Sequence, residues 1–145
     1  MFINEQKGNL FNLSKEYTLV HCISEDCAMG AGIAVAFERK FQMRDGLRRA
    51  LARNQKHFPC AVMYAGSDQK VINMITKEKY WHKPTYDTFD KALDATVKIC
   101  REHAIKKIAM PKIGCGLDRL DWIKVKAIIE EKFKDMDIEI QVRYL

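Results

Sequence analysis

The stretch YTLVHCISEDCAMGAGIAVAFERKF, residues 17–41, contains a strand, a loop and a helix pattern in succession. Residues 17–23 are almost continuously apolar, which is typical of a strand buried on both faces of a sheet. A polar segment with two closely spaced glycines follows and indicates a loop. Apolar residues then recur at every fourth position in residues 32–41, which predicts a helix with one buried side. This succession is typical of an α/β layered domain.

The rest of the chain alternates strand and helix patterns in the same way. Strands are predicted at residues 2–7, 60–65, 70–75, 107–110 and 138–144, and helices at 45–56, 85–103 and from 121 to about 133. Thr85 and Asp121 are the expected N-caps, because their side-chain oxygens can accept hydrogen bonds from free backbone amides. Six strands interleaved with four helices predict an α/β domain with a largely parallel or mixed sheet. No repeat or linker divides the chain, so residues 1–145 are expected to form one domain.

The composition predicts a soluble globular protein, with 48% hydrophobic and 30% charged residues. No apolar run reaches the roughly 20 residues that span a bilayer, and the N-terminal segment lacks the apolar stretch of a signal peptide. We therefore expect no membrane association and an intracellular location, in the cytoplasm or, in a eukaryote, also in the nucleus. The net charge of +6 and the pI of about 9.1 favour polyanionic partners, either nucleic acid or a phosphate-rich small molecule. Basic residues recur at near-helical spacing in residues 44–56, where a solvated helix face is the favoured interpretation.

The five cysteines are predicted to be reduced, because their number is odd, their positions are scattered and no export signal precedes them. Cys22, Cys27 and His21 lie close enough in sequence to suggest zinc ligands. A structural zinc site needs four ligands, however, and no second pair of ligands is present in the sequence. The sequence therefore predicts no metal and no cofactor.

Ligands of open α/β sheets bind in loops beyond the carboxyl ends of the strands, which here follow residues 7, 23, 75 and 110. Two of these loops carry closely spaced glycines, Gly30 and Gly32 in one and Gly114 and Gly116 in the other. Glycines let backbone amides approach an anion, so the two loops together could hold the two phosphates of a diphosphate. For either loop alone, turn geometry explains the glycines as well as a phosphate does.

Three side chains in these loops are candidates for chemistry. Lys77 follows a strand and has aromatic neighbours, so it could be desolvated and nucleophilic, although the sequence alone favours a solvated surface lysine. Cys115 could be a nucleophile with His21 or His82 as its base, but a small side chain fitted between two glycines is the favoured interpretation. His82 is expected to pack or to form hydrogen bonds.

Five segments together resemble the macrodomain family. They are HCISEDC (21–27), MGAGIAV (29–35), ITK (75–77), HKPTY (82–86) and PKIGCGLDRL (111–120). Within the family they are similar to the terminal ADP-ribose protein glycohydrolase branch, a set of single-domain enzymes. The similarity runs in matching order from about Lys7 to Leu145, which is nearly the whole chain. It implies a three-layer α/β/α fold around a mixed, six-stranded sheet, in agreement with the predicted elements.

The resemblance also implies that the chain binds ADP-ribose. The diphosphate would contact the two glycine-rich loops, the adenine end would lie near the N-terminal loop, and the distal ribose near Ser24, Lys77 and Asp118. The implied substrate-binding residues are Asn9, Leu10, Ser24, Met29, Gly30, Gly32, Ile33, Thr76, Ile113, Gly114, Cys115, Gly116 and Leu117. In this branch the lysine that matches Lys77 attacks C1″ of the distal ribose and displaces a glutamate or aspartate side chain. The aspartate that matches Asp118 then helps to resolve the lysyl adduct, and some members also deacylate O-acetyl-ADP-ribose.

One position departs from the family pattern. Macrodomains usually carry aspartate after the glycine near the N-terminus, whereas this chain has Asn9 after Gly8. The asparagine carbonyl can accept a hydrogen bond from the adenine amine, but without the assistance of a charge. Weaker adenine binding is therefore expected.

Three functions are consistent with the sequence. The leading hypothesis is a monomeric hydrolase that removes ADP-ribose from acidic side chains of proteins. The second is a non-catalytic protein that only binds ADP-ribose, which would need neither Lys77 nor Asp118. The third is a hydrolase of ADP-ribosylated DNA bases, as in antitoxin relatives of the branch, and the basic segment 44–56 is its support here.

Overall fold

A computed structural model describes the whole chain, residues 1–145. The strands are β1 (Phe2–Lys7), β2 (Thr18–Ser24), β3 (Cys60–Ala65), β4 (Lys70–Lys77), β5 (Lys107–Met110) and β6 (Glu139–Tyr144). The helices are α1 (Ile33–Phe41), α2 (Arg44–Arg53), α3 (Tyr86–Glu102) and α4 (Trp122–Phe133). All the predicted strands and helices are thus present, and a short 3₁₀ turn at Leu10–Asn12 is added after β1.

The six strands form one mixed sheet in the order β1-β6-β5-β2-β4-β3. Every neighbouring pair is parallel except β3 and β4, which are antiparallel. The five parallel strands therefore end at the same edge of the sheet. The loops after β1, β2, β4 and β5 meet at this carboxyl edge, as predicted.

Helices cover both faces of the sheet, because successive strand residues point to opposite sides. Val20 of β2 is buried in a cluster with residues of α3 and α4, whereas the adjacent Leu19 is buried in a second cluster with residues of α1 and α2. The result is the expected arrangement of three layers, helix, sheet and helix. None of the helices combines the length and the apolar character needed to cross a membrane.

The helix ends show why these segments begin and stop where they do. The Thr85 hydroxyl accepts a hydrogen bond from the Thr88 amide at 3.0 Å, and the Thr88 hydroxyl accepts one from the Thr85 amide, which forms a capping box. Asp121 accepts a hydrogen bond from the Ile123 amide at 2.9 Å. Both predicted N-caps are therefore confirmed. Helix α2 ends at Arg53, earlier than predicted, because Gln55 adopts a left-handed φ of 50°.

Strand β4 is two residues longer than the sequence predicted, and the difference positions a candidate residue. The register between β2 and β4 shifts after Ile23, so that Ser24 pairs with Lys77. The Lys77 carbonyl also accepts a hydrogen bond from the Glu25 amide at 2.9 Å. Lys77 is consequently the last residue of a central strand, with its backbone fixed by the sheet.

Candidate functional site

A cleft of about 750 Å³ opens at the carboxyl edge of the sheet. Strand β2 contributes residues 21–24 to its lining, and the loop that follows contributes residues 28–32. The loop after β5 contributes residues on one side of β2, and Lys77 contributes from β4, the neighbour of β2 on its other side. The cleft volume falls within the range of small-molecule sites, about 300–1,000 Å³.

The loop between β2 and α1 is held in shape by Asp26. Its carboxylate accepts hydrogen bonds from the Ser24 hydroxyl, from the Ala28 amide at 3.2 Å and from the Tyr80 amide at 3.1 Å. Burial alone would raise the pKa of Asp26, but these hydrogen bonds outweigh it and hold the pKa below its ordinary value. A charged Asp26 therefore ties this loop to the loop after β4.

Helix α1 begins at this loop without a side-chain cap. The N-cap residue is Gly32, with φ 60° and ψ −151°, a conformation that is accessible essentially only to glycine. No side chain accepts a hydrogen bond from the first amides of the helix. Free amides at a helix N-terminus, together with the helix dipole, favour an anion.

The loop between β5 and α4 is a series of tight turns. Gly114 has a φ of +74°, and its carbonyl accepts a hydrogen bond from the Leu120 amide at 2.9 Å. The Leu117 carbonyl accepts a hydrogen bond from Lys83 Nζ at 2.6 Å, so this loop too is tied to the loop after β4. The turns place Asp118 inside the cleft.

Lys77 and Asp118 form an ion pair at the meeting point of the loops. Lys77 Nζ lies 2.7 Å from Asp118 Oδ1, and the two side chains are 12% and 14% exposed. The interpretation of Lys77 as a solvated surface lysine is therefore wrong, because strand β4 carries it into the cleft. An amine and a carboxylate within hydrogen-bonding distance can exchange a proton, which is a requirement for general acid–base chemistry.

The cysteines of the site do not have the properties of nucleophiles. Burial, together with the negative charges of Asp121 and Asp118, raises the pKa of Cys115 to about 11. Burial also raises the pKa of Cys22, which lines the cleft. Since a thiolate is the reactive form, a raised pKa disfavours either thiol as a nucleophile at neutral pH. Cys115 Sγ donates a hydrogen bond to the Ile113 carbonyl at 3.2 Å, which agrees with the interpretation of Cys115 as a small side chain that fits the turn.

The two histidines considered as bases have structural partners instead. His21 is fully buried, stacks on Phe37 with ring centroids 3.8 Å apart, and its Nε2 lies 2.6 Å from Asn73 Oδ1. Burial lowers the pKa of His21 to about 4, against the opposing effect of the bond to Asn73. His82 is exposed, and its Nδ1 accepts a hydrogen bond from the Lys79 amide at 3.3 Å. His82 is thus a hydrogen-bonding residue, as expected.

Most of the residues predicted from the sequence lie together in the cleft. Those that line it are Ser24, Met29, Gly30, Gly32, Ile33, Lys77, Ile113, Gly114, Gly116, Leu117 and Asp118. Four others do not line it, namely Asn9, Leu10, Thr76 and Cys115. Leu10 and Thr76 are buried, and Asn9 Oδ1 caps the 3₁₀ turn by accepting a hydrogen bond from the Phe11 amide at 2.9 Å. The binding role of all these residues stays a prediction.

Sequence reasoning missed several residues that line the cleft. The most polar of them are Tyr80, Lys83 and Lys112. Tyr80 and Lys83 belong to the loop that follows Lys77, and Lys112 belongs to the loop that carries Gly114 and Gly116. Their position in predicted ligand-binding loops was the signal that could have identified them.

Comparison with known proteins gives consistent matches over nearly the whole chain. The family model described as Macro domain matches residues 20–129. Bovine ADP-ribose glycohydrolase OARD1 is 46% identical over 136 residues, which are 94% of this chain and 87% of that protein. The DNA ADP-ribosyl glycohydrolase of Mycobacterium tuberculosis is 28% identical over 135 residues, or 89% of this chain and 38% of that protein. The macrodomain of Thermus aquaticus DarG superposes with a TM-score of 0.86 at 25% identity, covering 98% of this chain and 97% of that one.

Proposed function

Because this chain belongs to the macro domain family, we propose that it binds ADP-ribose and hydrolyses the bond between its distal ribose and an acidic side chain of a protein. The ion pair of Lys77 and Asp118 inside the cleft is the observation that carries the proposal. The name of the bovine relative, an ADP-ribose glycohydrolase, supports the same reaction class.

The shape and polarity of the cleft support ADP-ribose as the ligand. Two glycine-rich loops face each other across it, and the uncapped N-terminus of α1 supplies free amides on one side. Amides of this kind suit a diphosphate, which carries negative charge and many acceptor oxygens. Lys83 and Lys112 add positive charge to the lining.

The ion pair can catalyse a two-step hydrolysis. In the first step Asp118 takes a proton from the Lys77 ammonium, and the freed amine forms a bond to C1″ of the distal ribose. The C1″–O bond breaks, and its electron pair leaves with the acidic side chain as a carboxylate. In the second step water adds to C1″ and loses one proton to the solvent, the C1″–N bond breaks with its electron pair on Nζ, and Nζ recovers its proton from Asp118. The products are free ADP-ribose and an unmodified side chain.

A protein that only binds ADP-ribose is a weaker interpretation of this site. Burying a lysine and an aspartate costs solvation energy that their mutual attraction only partly returns. A binding protein would not need this pair beside the distal ribose. Hydrolysis uses both groups, which accounts for their presence.

ADP-ribosylated DNA is the second candidate substrate. It is favoured by the similarity to the mycobacterial DNA ADP-ribosyl glycohydrolase and by the basic helix α2. Arg48 of that helix donates a hydrogen bond to the Asp26 carbonyl at 3.1 Å, which brings the helix next to the cleft loops.

A turnover assay with three substrates tests the proposal. Wild-type protein, Lys77→Ala and the control Lys91→Ala, an exposed lysine on α3, are each offered glutamyl-ADP-ribosylated protein, O-acetyl-ADP-ribose and ADP-ribosylated DNA. We expect release of ADP-ribose from the modified protein by the wild type and the control, and loss of release with Lys77→Ala. Release from DNA alone would favour the second candidate, and equal release by Lys77→Ala would contradict the mechanism.

A further inference from the structure

An exposed group of aromatic rings lies beside the cleft and has no role in the function proposed above. Tyr80, Trp81 and His82, which we call the aromatic rim, follow β4 directly. Tyr80 and Trp81 are 62% and 63% exposed. Large aromatic side chains exposed to this extent commonly mark a surface that binds another molecule.

The aromatic rim is part of a fixed turn. The Tyr80 amide is held by the Asp26 carboxylate, and the His82 amide donates to the Lys79 carbonyl at 3.0 Å. The rings also contact one another, with centroids 5.1 Å apart for Tyr80 and Trp81 and 5.3 Å apart for Trp81 and His82. A preformed surface loses little conformational entropy when a partner binds.

The position of the aromatic rim matches the path of the leaving group. Tyr80 and Lys83 line the cleft together with Lys77 and Asp118. In the proposed reaction, which this inference presupposes, the displaced side chain departs from C1″ beside Lys77. The polypeptide attached to that side chain must therefore pass the cleft mouth next to the loop that carries the aromatic rim.

The charges around the aromatic rim are mainly positive. Lys79 and Lys83 flank it in the same loop, and Arg48 lies against Asp26, which holds the loop. The Asp26 carboxylate keeps its negative charge while it accepts its three hydrogen bonds, and Glu78 is a further negative charge in the same loop as Lys79 and Lys83. Such a surface complements an acidic partner.

The ring geometry favours a polypeptide over a nucleic acid strand. The planes of Tyr80 and Trp81 are inclined at 87°, and those of Trp81 and His82 at 71°. Successive bases of a single strand stack on aromatic faces, and rings so steeply inclined do not offer a run of parallel faces. Exposed Tyr and Trp are instead enriched in protein–protein contacts.

We propose that the aromatic rim, with Lys79 and Lys83, binds the acidic polypeptide segment that surrounds the ADP-ribosylated residue. The enzyme then recognises its substrate at two places, ADP-ribose in the cleft and the acceptor chain on the aromatic rim. Trp81 is the residue that tests this, because it contacts Tyr80 but does not itself line the cleft.

The experiment compares two conjugates that share the same scissile bond. One is an acidic peptide with a single glutamate-linked ADP-ribose, and the other is the glutamate–ADP-ribose conjugate without a peptide. For Trp81→Ala we expect a rise in KM of about tenfold on the peptide and unchanged kinetics on the small conjugate. Ile123→Ala, which removes another exposed apolar side chain, on α4, is the control and should change neither.

Three other outcomes overturn the proposal. Equal losses on both conjugates would place Trp81 in the cleft machinery, and no loss on the peptide would leave the aromatic rim without this role. A third reaction offers an ADP-ribosylated single-stranded DNA substrate, and a loss of activity confined to that substrate would identify a nucleic acid site. If wild-type protein cleaves neither conjugate, the proposed function fails. Calorimetry then tests the aromatic rim by itself, since the wild type should bind the peptide conjugate about tenfold more tightly than the small one, and Trp81→Ala should not.

Discussion

Leu117 lies directly over Gly32, so that a Cβ atom on Gly32 would be 3.3 Å from Leu117 Cδ1. The two residues belong to the two glycine-rich loops, and this contact joins the loops across the mouth of the cleft. Gly32 also has a positive φ, as described above, so that its backbone requires glycine, and an added Cβ would press on Leu117. The relative position of the two glycine-rich loops therefore depends on Gly32.

Gly32→Ala is expected to destabilise the fold by roughly 1–3 kcal/mol, because alanine is strained at this φ and ψ and meets Leu117. ADP-ribose affinity should fall with it, since the start of α1 must shift. Urea unfolding and calorimetry measure the two effects. Gly116→Ala is the control for stability, because a Cβ there meets nothing within 4 Å. Equal stability of the two variants would contradict the prediction.

Lys77→Arg should lower the turnover rate about a hundredfold or more while preserving ADP-ribose binding. The guanidinium keeps the positive charge beside Asp118, but it does not lose its proton and is no nucleophile. Single-turnover release of ADP-ribose from a modified glutamate measures the effect, and Lys91→Arg on α3 is the matched control. Retained turnover would exclude covalent catalysis by Lys77.

Asp118→Ala should form the lysyl adduct and then stall. Water can accept the Lys77 proton in place of Asp118, because the Lys77 side chain keeps 12% of its surface exposed, so that attack on C1″ still proceeds. Hydrolysis of the adduct lacks the carboxylate that assists it. Mass spectrometry should detect a protein heavier by one ADP-ribose, and the mass gain should disappear in the double variant with Lys77→Ala. Rapid turnover without an adduct would contradict the two-step scheme.

The parts of this fold that could be predicted are those fixed by local patterns. The apolar run of β2, the N-caps at Thr85 and Asp121 and the two glycine-rich loops are all visible in short windows of sequence, and the structure contains each of them. The burial of Lys77 was not predictable in this way. It depends on the pairing of Ser24 with Lys77, residues that are distant in sequence.

Local patterns likewise do not predict which residues come together in the site. The ion pair joins Lys77 on one strand to Asp118 in a loop beyond another, a separation of 41 residues. Resemblance to known sequences suggested the pair, whereas spacing did not. Tyr80 enters the cleft because its amide is held by Asp26, 54 residues away, and no local pattern indicates that contact.

The stability of the protein should fall as the pH falls from about 6.5 towards 4. The pKa of His21 is lowered to about 4 in the folded state, first because of burial, so that between these values the unfolded chain binds more protons than the folded one. The loss should approach roughly 3 kcal/mol, since one pKa unit corresponds to about 1.4 kcal/mol. For His21→Gln, the free energy of unfolding should change less with pH in this range than it does for the wild type, whatever the stability of the variant at neutral pH. His103→Gln, which replaces an exposed histidine, is the control and should keep the wild-type dependence of unfolding free energy on pH. The same dependence in all three proteins would contradict the assignment of this effect to His21.

Asn9→Asp should tighten ADP-ribose binding, if the position contacts the adenine amine as family resemblance implies. The single side-chain oxygen of Asn9 already accepts a hydrogen bond from the Phe11 amide at 2.9 Å. A carboxylate could keep that capping bond with one oxygen and offer the other, with its negative charge, to the adenine amine. Because aspartate caps as well as asparagine, unfolding stability should stay nearly constant and isolate the effect on binding. Calorimetry with ADP-ribose should give a several-fold lower Kd, as expected for one charge-assisted hydrogen bond. An unchanged or higher Kd at equal stability would mean that this side chain acts on the 3₁₀ turn and not on the adenine.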